Sequence, residues 1–208
     1  MAHPGSFYII TVMPKKVDHE AQRKRIADAA LDQIGRHGLD RVRLADIARA
    51  VDATTGTVTH YFDGKDALLA AALDRLAERI YDTAQRVSDK DGLDEITEAL
   101  PIDAAGRRDW RVWLCYWGRA ISEPELAHRH NTHYARIQAA VAESIAILQA
   151  RGDINDAVPA DDIADAILAT ADGIGVRASL DPRGWPAARQ RKLLETMIRP
   201  LLAPAASA

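Results

Sequence analysis

The feature that most constrains the fold is a pair of short apolar-patterned segments joined by a tight polar turn. In the stretch LADIARAVDATTGTVTHYF, residues 44–62, apolar side chains recur at helical spacing on both sides of DATTG. Helices this short are not stable alone in water, so both segments must pack against a longer neighbour. The pattern predicts a helix-turn-helix unit.

Local signals set the ends of the expected helices. Asp18 can cap a first helix that runs to about His37, and Gly38 follows as the glycine that ends it. Thr54 is a suitable N-cap for the third helix. Asp52 falls where the turn between the two short helices requires a positive φ, which aspartate tolerates better than most residues.

The remainder of the chain also has a helical pattern. Ala, Leu, Arg and Asp dominate among its 208 residues and alternating β-branched patterns are scarce, which predicts an all-α protein. No apolar run approaches the roughly 20 residues that cross a bilayer. The single cysteine, Cys115, excludes an internal disulfide and is typical of a reducing compartment. We therefore expect a cytoplasmic protein with no membrane contact.

The third helix carries an unusual set of polar side chains. Val58 and Phe62 supply its apolar anchor, which leaves threonines, a histidine and a tyrosine to face outward. Such side chains on an exposed helix can reach base edges and phosphates in the major groove of DNA. Gly56 lets the backbone approach DNA closely, and Lys65 is placed for a phosphate. The residues expected at the DNA are Thr54 (also the cap), Thr55, Gly56, Thr57, Thr59, His60, Tyr61 and Lys65. The alternative for Tyr61 is to pack between the first and third helices.

The string IARAVDATTGTVTHYFDGKDALL resembles the DNA-binding signature of the TetR/AcrR family of bacterial regulators, over a region from Glu20 to roughly Leu69. The strings TTGTVTHYF, WRVWLCYWGRA and DGIGVRASLDP further resemble the BetI-like subgroup, the choline-pathway repressors. Two positions depart from the family pattern. Arg43 stands where the family often has a capping threonine and is expected to contact a phosphate instead, and Asp52 stands where it often has glycine.

This resemblance implies a homodimer in which each chain joins an operator-binding head to a helical body. The expected divisions are an N-terminal extension or arm at residues 1–17, a helix-turn-helix DNA-binding domain at 18–64, and a ligand-binding and dimerisation domain at 65–208. Charge agrees, because the first 65 residues carry two more basic than acidic residues and the remaining 143 carry five more acidic ones. The function implied is a repressor that a small-molecule inducer releases from a palindromic operator.

Two other classes of function remain open. One is a helical small-molecule-binding protein without sequence-specific DNA binding. The other is an all-α enzyme, which the sequence disfavours because it carries no phosphate loop, nucleophile motif or metal signature. We expect neither a cofactor nor a metal: of the three histidines in HRHNTH, only His130 and His133 share a helical face, and a solvated polar face is their simpler role.

Trp110, Trp113 and Trp117 recur on one helical face. They form either a packed core or the wall of an aromatic pocket, whose indole faces would attract a cation. Such a cage also needs a carboxylate, and the candidate is Asp172, which interrupts an otherwise apolar run. Asp172 could instead pair with Arg177 or cap a turn. The inducer is thus expected to be a choline-like cation or a flat aromatic molecule.

Small side chains in the same apolar run suggest close helix packing. Together with the segment RKLLETMIRPLL, they predict a four-helix dimer interface with two helices from each chain. Packing within one chain is the rival explanation. The residues concerned are Ala164, Ala171, Gly175 and Ala178.

Overall fold

The computed structural model describes residues 18–85 and 96–203, and within these ranges every regular element is a helix. The helices are α1 (His19–His37), α2 (Leu44–Ala50), α3 (Thr55–Tyr61), α4 (Gly64–Ala84), α5 (Ala104–Ala120), α6 (Pro124–Arg151), α7 (Ala160–Leu180) and α8 (Ala187–Ile198). A short helical turn covers residues 96–98. The predicted all-α class is confirmed. The predicted arm at residues 1–17 lies outside the described residues.

Helix α1 begins and ends where its capping residues predict. The Asp18 carboxylate accepts hydrogen bonds from the backbone N–H groups of Glu20 and Ala21, both at 3.1 Å. At the other end Gly38 has φ of 79°, and its N–H bonds the carbonyl of Ile34. Buried residues recur every four positions along α1, at Ile26, Ala30 and Ile34, and they define the face of the helix that meets the core.

Helices α2 and α3 form the expected helix-turn-helix unit. Asp52 adopts φ of 52° in the turn, as predicted. Thr54 caps α3 by accepting a hydrogen bond from the N–H of Thr57 at 3.1 Å. Val58 and Phe62 are buried and hold α3 against its neighbours. The opposite face of α3 is therefore turned outward.

The helices of the body, α4 to α8, form a bundle that packs against α1 of the head. Helix α4 packs against α1, α5 and α6, while α7 lies against α6 and α8, and α5 also contacts α1. Among the residues that the structure describes, no helix has the length and apolarity to cross a membrane.

The small residues of α7 do not face a partner, contrary to the expectation from sequence. Gly175 receives the six-membered ring of Trp110, and a Cβ added there would lie 2.1 Å from that ring. The others, Ala164, Ala171 and Ala178, are buried in the same way within the chain's own core. The predicted dimer interface therefore cannot use these four residues, because close packing inside one chain already covers them.

Candidate functional site

The outward face of α3 is polar and open. Packing within the described part of the chain does not require a glycine at position 56. The nearest atom to an added Cβ is the Thr54 hydroxyl oxygen at 3.6 Å, which is an ordinary contact distance. The hydroxyl of Thr59 donates back to the carbonyl oxygens of its own helix, at 3.1 and 3.2 Å. Of the residues expected at DNA, those fully exposed are Arg43, Thr54, Thr55, Gly56, Thr59, His60 and Lys65, whereas Thr57 and Tyr61 are half-buried.

Tyr61 contacts α1, which agrees with the alternative that this side chain packs between the first and third helices. Its hydroxyl lies 2.9 Å from Nδ1 of His19, and its carbonyl accepts a hydrogen bond from Arg23 at 2.8 Å. The Arg23 guanidinium also lies over the Phe62 ring, 4.4 Å from its centroid. Arg25 donates to the carbonyl of Val51 at 3.2 Å. These two arginines join α1 to the ends of α2 and α3.

Exposed cations flank α3. Arg43 occupies the N-cap position of α2 without a capping hydrogen bond, as expected. Lys65 donates to the carbonyl oxygens of Leu39 and Asp40, at 3.4 and 3.1 Å, so it also ties the start of α4 to the loop after α1. A shallow groove beside Arg43 adds basic side chains that sequence reasoning missed, namely Arg41 and Arg49.

The body encloses a cavity of about 240 Å³ between α4, α5, α6 and α7. Trp110 and Trp113 line it, and both are buried. The Trp110 indole N–H donates to the carbonyl of Ala99 at 2.7 Å, which fixes the ring at the cavity wall. Trp117 does not line the cavity.

Trp117 belongs to an aromatic cluster behind the cavity wall. Its indole N–H donates to Nε2 of His130 at 2.6 Å, and the His130 ring is stacked between Tyr116 and Tyr134. Burial lowers the pKa of His130, which keeps Nε2 free to accept this bond. Two of the three tryptophan rings therefore line the cavity, and the third packs against the core.

Asp172 lies in the cavity wall, within α7 rather than at a turn. Its carboxylate accepts a hydrogen bond from the Tyr134 hydroxyl at 2.6 Å. The alternative pairing with Arg177 is wrong, since that guanidinium lies over the Trp185 ring at 5.6 Å. Burial raises the pKa of Asp172 to about 6, although the hydrogen bond from Tyr134 opposes this shift.

Further charged groups line the cavity that the sequence did not reveal. Arg79 of α4 forms an ion pair with Asp109 of α5, and Glu98 lies on the segment before α5. Burial raises the pKa of Asp109 in spite of the nearby Arg79. These residues, and Tyr134, come from separate elements with no common sequence motif, so only the packing of the helices brings them together.

His130 and His133 form hydrogen bonds with different residues. His133 Nε2 lies 2.8 Å from the Asp74 carboxylate, which also accepts from Arg129 at 2.7 Å. The hydrogen bonds from His133 and Arg129 lower the pKa of Asp74, although burial opposes them. Sequence spacing put the two histidines on one face, but each has its own hydrogen-bond partner.

Comparison with known proteins assigns both parts of the chain. A model of the N-terminal domain of the bacterial regulatory proteins of the tetR family matches residues 26–72. A model described as the C-terminal domain of BetI-type transcriptional repressors matches residues 91–203, more than half of the chain. The chain belongs to the TetR family. Members are transcriptional regulators rather than enzymes, and the ligand-responsive, DNA-binding function predicted from sequence agrees with this membership.

This TetR-family regulator is similar to individual known proteins over most of its length. It is 27% identical to the transcriptional regulator BetI of Burkholderia mallei, over 92% of this chain and 99% of that protein. It is 27% identical to the regulator PksA of Bacillus subtilis, over 82% of this chain and 84% of that protein. A transcriptional regulator from Saccharomonospora viridis, solved in complex with choline, has a TM-score of 0.73 and 27% identity, covering 86% of this chain and 96% of that one.

In this regulator one helix contacts both the cavity and the head. Helix α5 carries Trp110 and Trp113, and Arg111 of the same helix donates to the carbonyl of Arg36 at 2.5 Å. At Gly35 an added Cβ would lie 2.9 Å from the Arg108 Cβ and carbonyl oxygen, so α1 and α5 are in close contact. Helix α5 therefore connects the cavity wall directly to α1 of the head.

Proposed function

We propose that this regulator is a cytoplasmic, homodimeric repressor that leaves a palindromic operator when a small organic cation enters the cavity. The observation that carries the ligand assignment is Asp172. Its carboxylate lines an aromatic cavity and bonds the Tyr134 hydroxyl, with no cationic partner among the described residues. A negative charge placed in this way is costly unless a positive charge joins it.

The walls of the cavity suit a quaternary or other organic ammonium group. Indole faces attract cations, and Trp110 and Trp113 supply two of them close to one carboxylate. With a pKa of about 6, Asp172 is mostly ionised at neutral pH, and a bound cation would lower that pKa further. The similar regulator from Saccharomonospora viridis is in complex with choline, which supports choline as the first probe.

On the DNA side, the outward face of α3 would enter the major groove and the flanking cations would contact phosphates. The exposed Thr55, Thr59 and His60 are available for base edges. Arg43 and Lys65 are available for the backbone, and Lys65 would have to share its ammonium with the carbonyls that it now contacts. In this assignment Tyr61 and Thr54 contact phosphates while also holding α3 in place, and Gly56 and Thr57 lie against the groove.

The test begins with selection of bound duplexes from a random DNA pool, repeated over a series of salt concentrations. A palindromic site whose affinity falls steeply with salt is the expected result, because phosphate contacts release counterions. That duplex then serves as the probe for release by choline. Enrichment of no site by folded protein would instead favour a binding protein whose head does not read sequence.

Two variants decide the chemistry of the ligand. Asp172→Asn should weaken choline binding by about tenfold or more, since it removes the only charge opposite the cation at that wall. Glu143→Gln, an exposed acid on α6 that does not line the cavity, is the control and should leave binding unchanged. If Asp172→Asn leaves choline affinity intact while a flat aromatic compound releases the operator, the inducer belongs to the aromatic class.

A further inference from the structure

Among the described residues that line the cavity, the acidic side chains exceed the basic ones by more than one monovalent cation can balance. Its charged lining residues are Arg79, Glu98, Asp109 and Asp172. Arg79 and Asp109 neutralise each other in an ion pair. The other two carboxylates, Glu98 and Asp172, have no cationic partner among residues 18–85 and 96–203.

The two unbalanced carboxylates lie at different depths. Asp172 is half-buried and bonded to Tyr134, whereas Glu98 is exposed and precedes α5. Because exposed residues line a cavity at its opening, Glu98 marks the mouth and Asp172 the interior.

Trp110 connects the two positions. Its indole N–H donates to the carbonyl of Ala99, the residue after Glu98. The six-membered part of the same ring lies against Gly175, which is one helical turn beyond Asp172 on α7. A single indole thus contacts the backbone next to Glu98 and the helix that carries Asp172.

The volume also exceeds the needs of a small ammonium ion. Apolar protein cavities of about 150 Å³ bind a ligand the size of benzene. The cavity here, at about 240 Å³, has room for a longer molecule.

We propose that the ligand is a dication, with two positive centres joined by an apolar spacer. One centre lies beside Asp172, the spacer lies along Trp110, and the second centre lies beside Glu98 at the mouth. This inference rests on the proposed function, because it takes the cavity as the inducer site. It specifies that the organic cation proposed as inducer carries two positive charges.

The experiment compares choline with a series of α,ω-bis(trimethylammonium)alkanes of increasing spacer length, binding to the full chain by titration calorimetry. Affinity for the dications should rise to an optimum spacer length and exceed the affinity for choline. Raising the salt concentration should weaken the best dication more than choline, because one of its ion pairs is exposed.

Two substitutions are expected to act in opposite directions. Glu98→Gln should weaken the best dication roughly threefold to fivefold, the size of an exposed ion pair, and leave choline nearly unchanged. Arg79→Gln removes the cation that neutralises Asp109, so it should tighten dication binding, which mere damage to the cavity would not do. Glu143→Gln, an exposed acid on α6 away from the cavity, is the control.

The outcomes separate this proposal from the broader one. If choline binds and every dication binds no more tightly, with Glu98→Gln without effect on either, the divalent class is wrong and the monovalent inducer stands. If neither choline nor any dication binds, both proposals are wrong.

Discussion

At the scale of single residues, Asp172 is placed for binding at a cost to stability. Burial raises the pKa of its carboxyl to about 6 from an ordinary value of 3.8, so folding makes ionisation of this group less favourable than it is in the unfolded chain. A group whose acid form is favoured by folding makes the folded state less stable as pH rises through that interval. Perturbed carboxylates of this kind are typical of functional sites.

Replacing Asp172 with asparagine should therefore stabilise the ligand-free protein. At pH 7 we expect the free energy of unfolding to rise by about 1–2 kcal/mol, because the unfavourable charge is gone and asparagine can still accept the Tyr134 hydrogen bond. The gain should disappear towards pH 4, where the native carboxyl is protonated. Denaturant unfolding of both proteins at the two pH values measures this. A variant less stable than the native protein at pH 7 would show that the carboxylate is favourably paired.

Gly56 offers the complementary test on the DNA-binding side. Among the described residues, no neighbouring atom lies closer than 3.6 Å to an added Cβ, so Gly56→Ala should leave stability unchanged or raise it by up to about 1 kcal/mol. Operator affinity should fall, because the added methyl group lies where α3 approaches DNA. Unfolding curves of this variant measure its stability, and operator titrations measure its affinity for DNA. Unchanged operator affinity would place Gly56 away from the groove.

At the scale of elements, the local signals predicted more than the long-range ones. Asp18, Thr54 and Gly38 mark helix ends correctly because capping depends on neighbouring backbone groups alone. Helix α8 ends at Ile198, two residues before Pro200. Tyr134 and Asp109 could not be assigned to the cavity from sequence, since their positions depend on how four helices pack.

The contact between α1 and α5 is the element-scale feature most open to test. Gly35→Ala would force the two helices apart at Arg108 and should destabilise the fold by about 1–3 kcal/mol, as overpacking does. It should also reduce the factor by which choline weakens operator binding, because α5 would no longer be held against the head. Operator titrations with and without choline measure that factor.

Gly118→Ala is the matched control for this test. It lies on α5, and no atom of a neighbouring element in the described part of the chain is within 4 Å of an added Cβ. We expect normal coupling in this variant and stability equal to or slightly above that of the native protein. Equal coupling in the two variants would mean that the signal does not pass through the contact between α1 and α5.

At the scale of the whole molecule, the outer faces of α7 and α8 have the features of an interface between two copies. Leu180 is 77% exposed and Met197 is 54% exposed, although both are large apolar residues. The start of α7 carries Asp161 and Asp162, and its last turn carries Arg177. A two-fold axis that crosses paired α7 helices brings the acidic end of one against the basic end of the other, so charge and apolar area favour the same antiparallel dimer.

Placing a charge on this face should separate the protomers without emptying the cavity. Leu180→Glu is expected to yield monomers in sedimentation equilibrium and to lower operator affinity by orders of magnitude, since a palindrome is read by two heads held together. Choline binding should persist, because Asp172, Trp110 and Trp113 all line the cavity within a single chain. Ile121→Glu is the control: this residue is 89% exposed at the end of α5, outside the proposed interface, and its variant should remain dimeric. If both variants stay dimeric and bind the operator, the protomers meet through another face, and the apolar exposure of Leu180 and Met197 has a different cause.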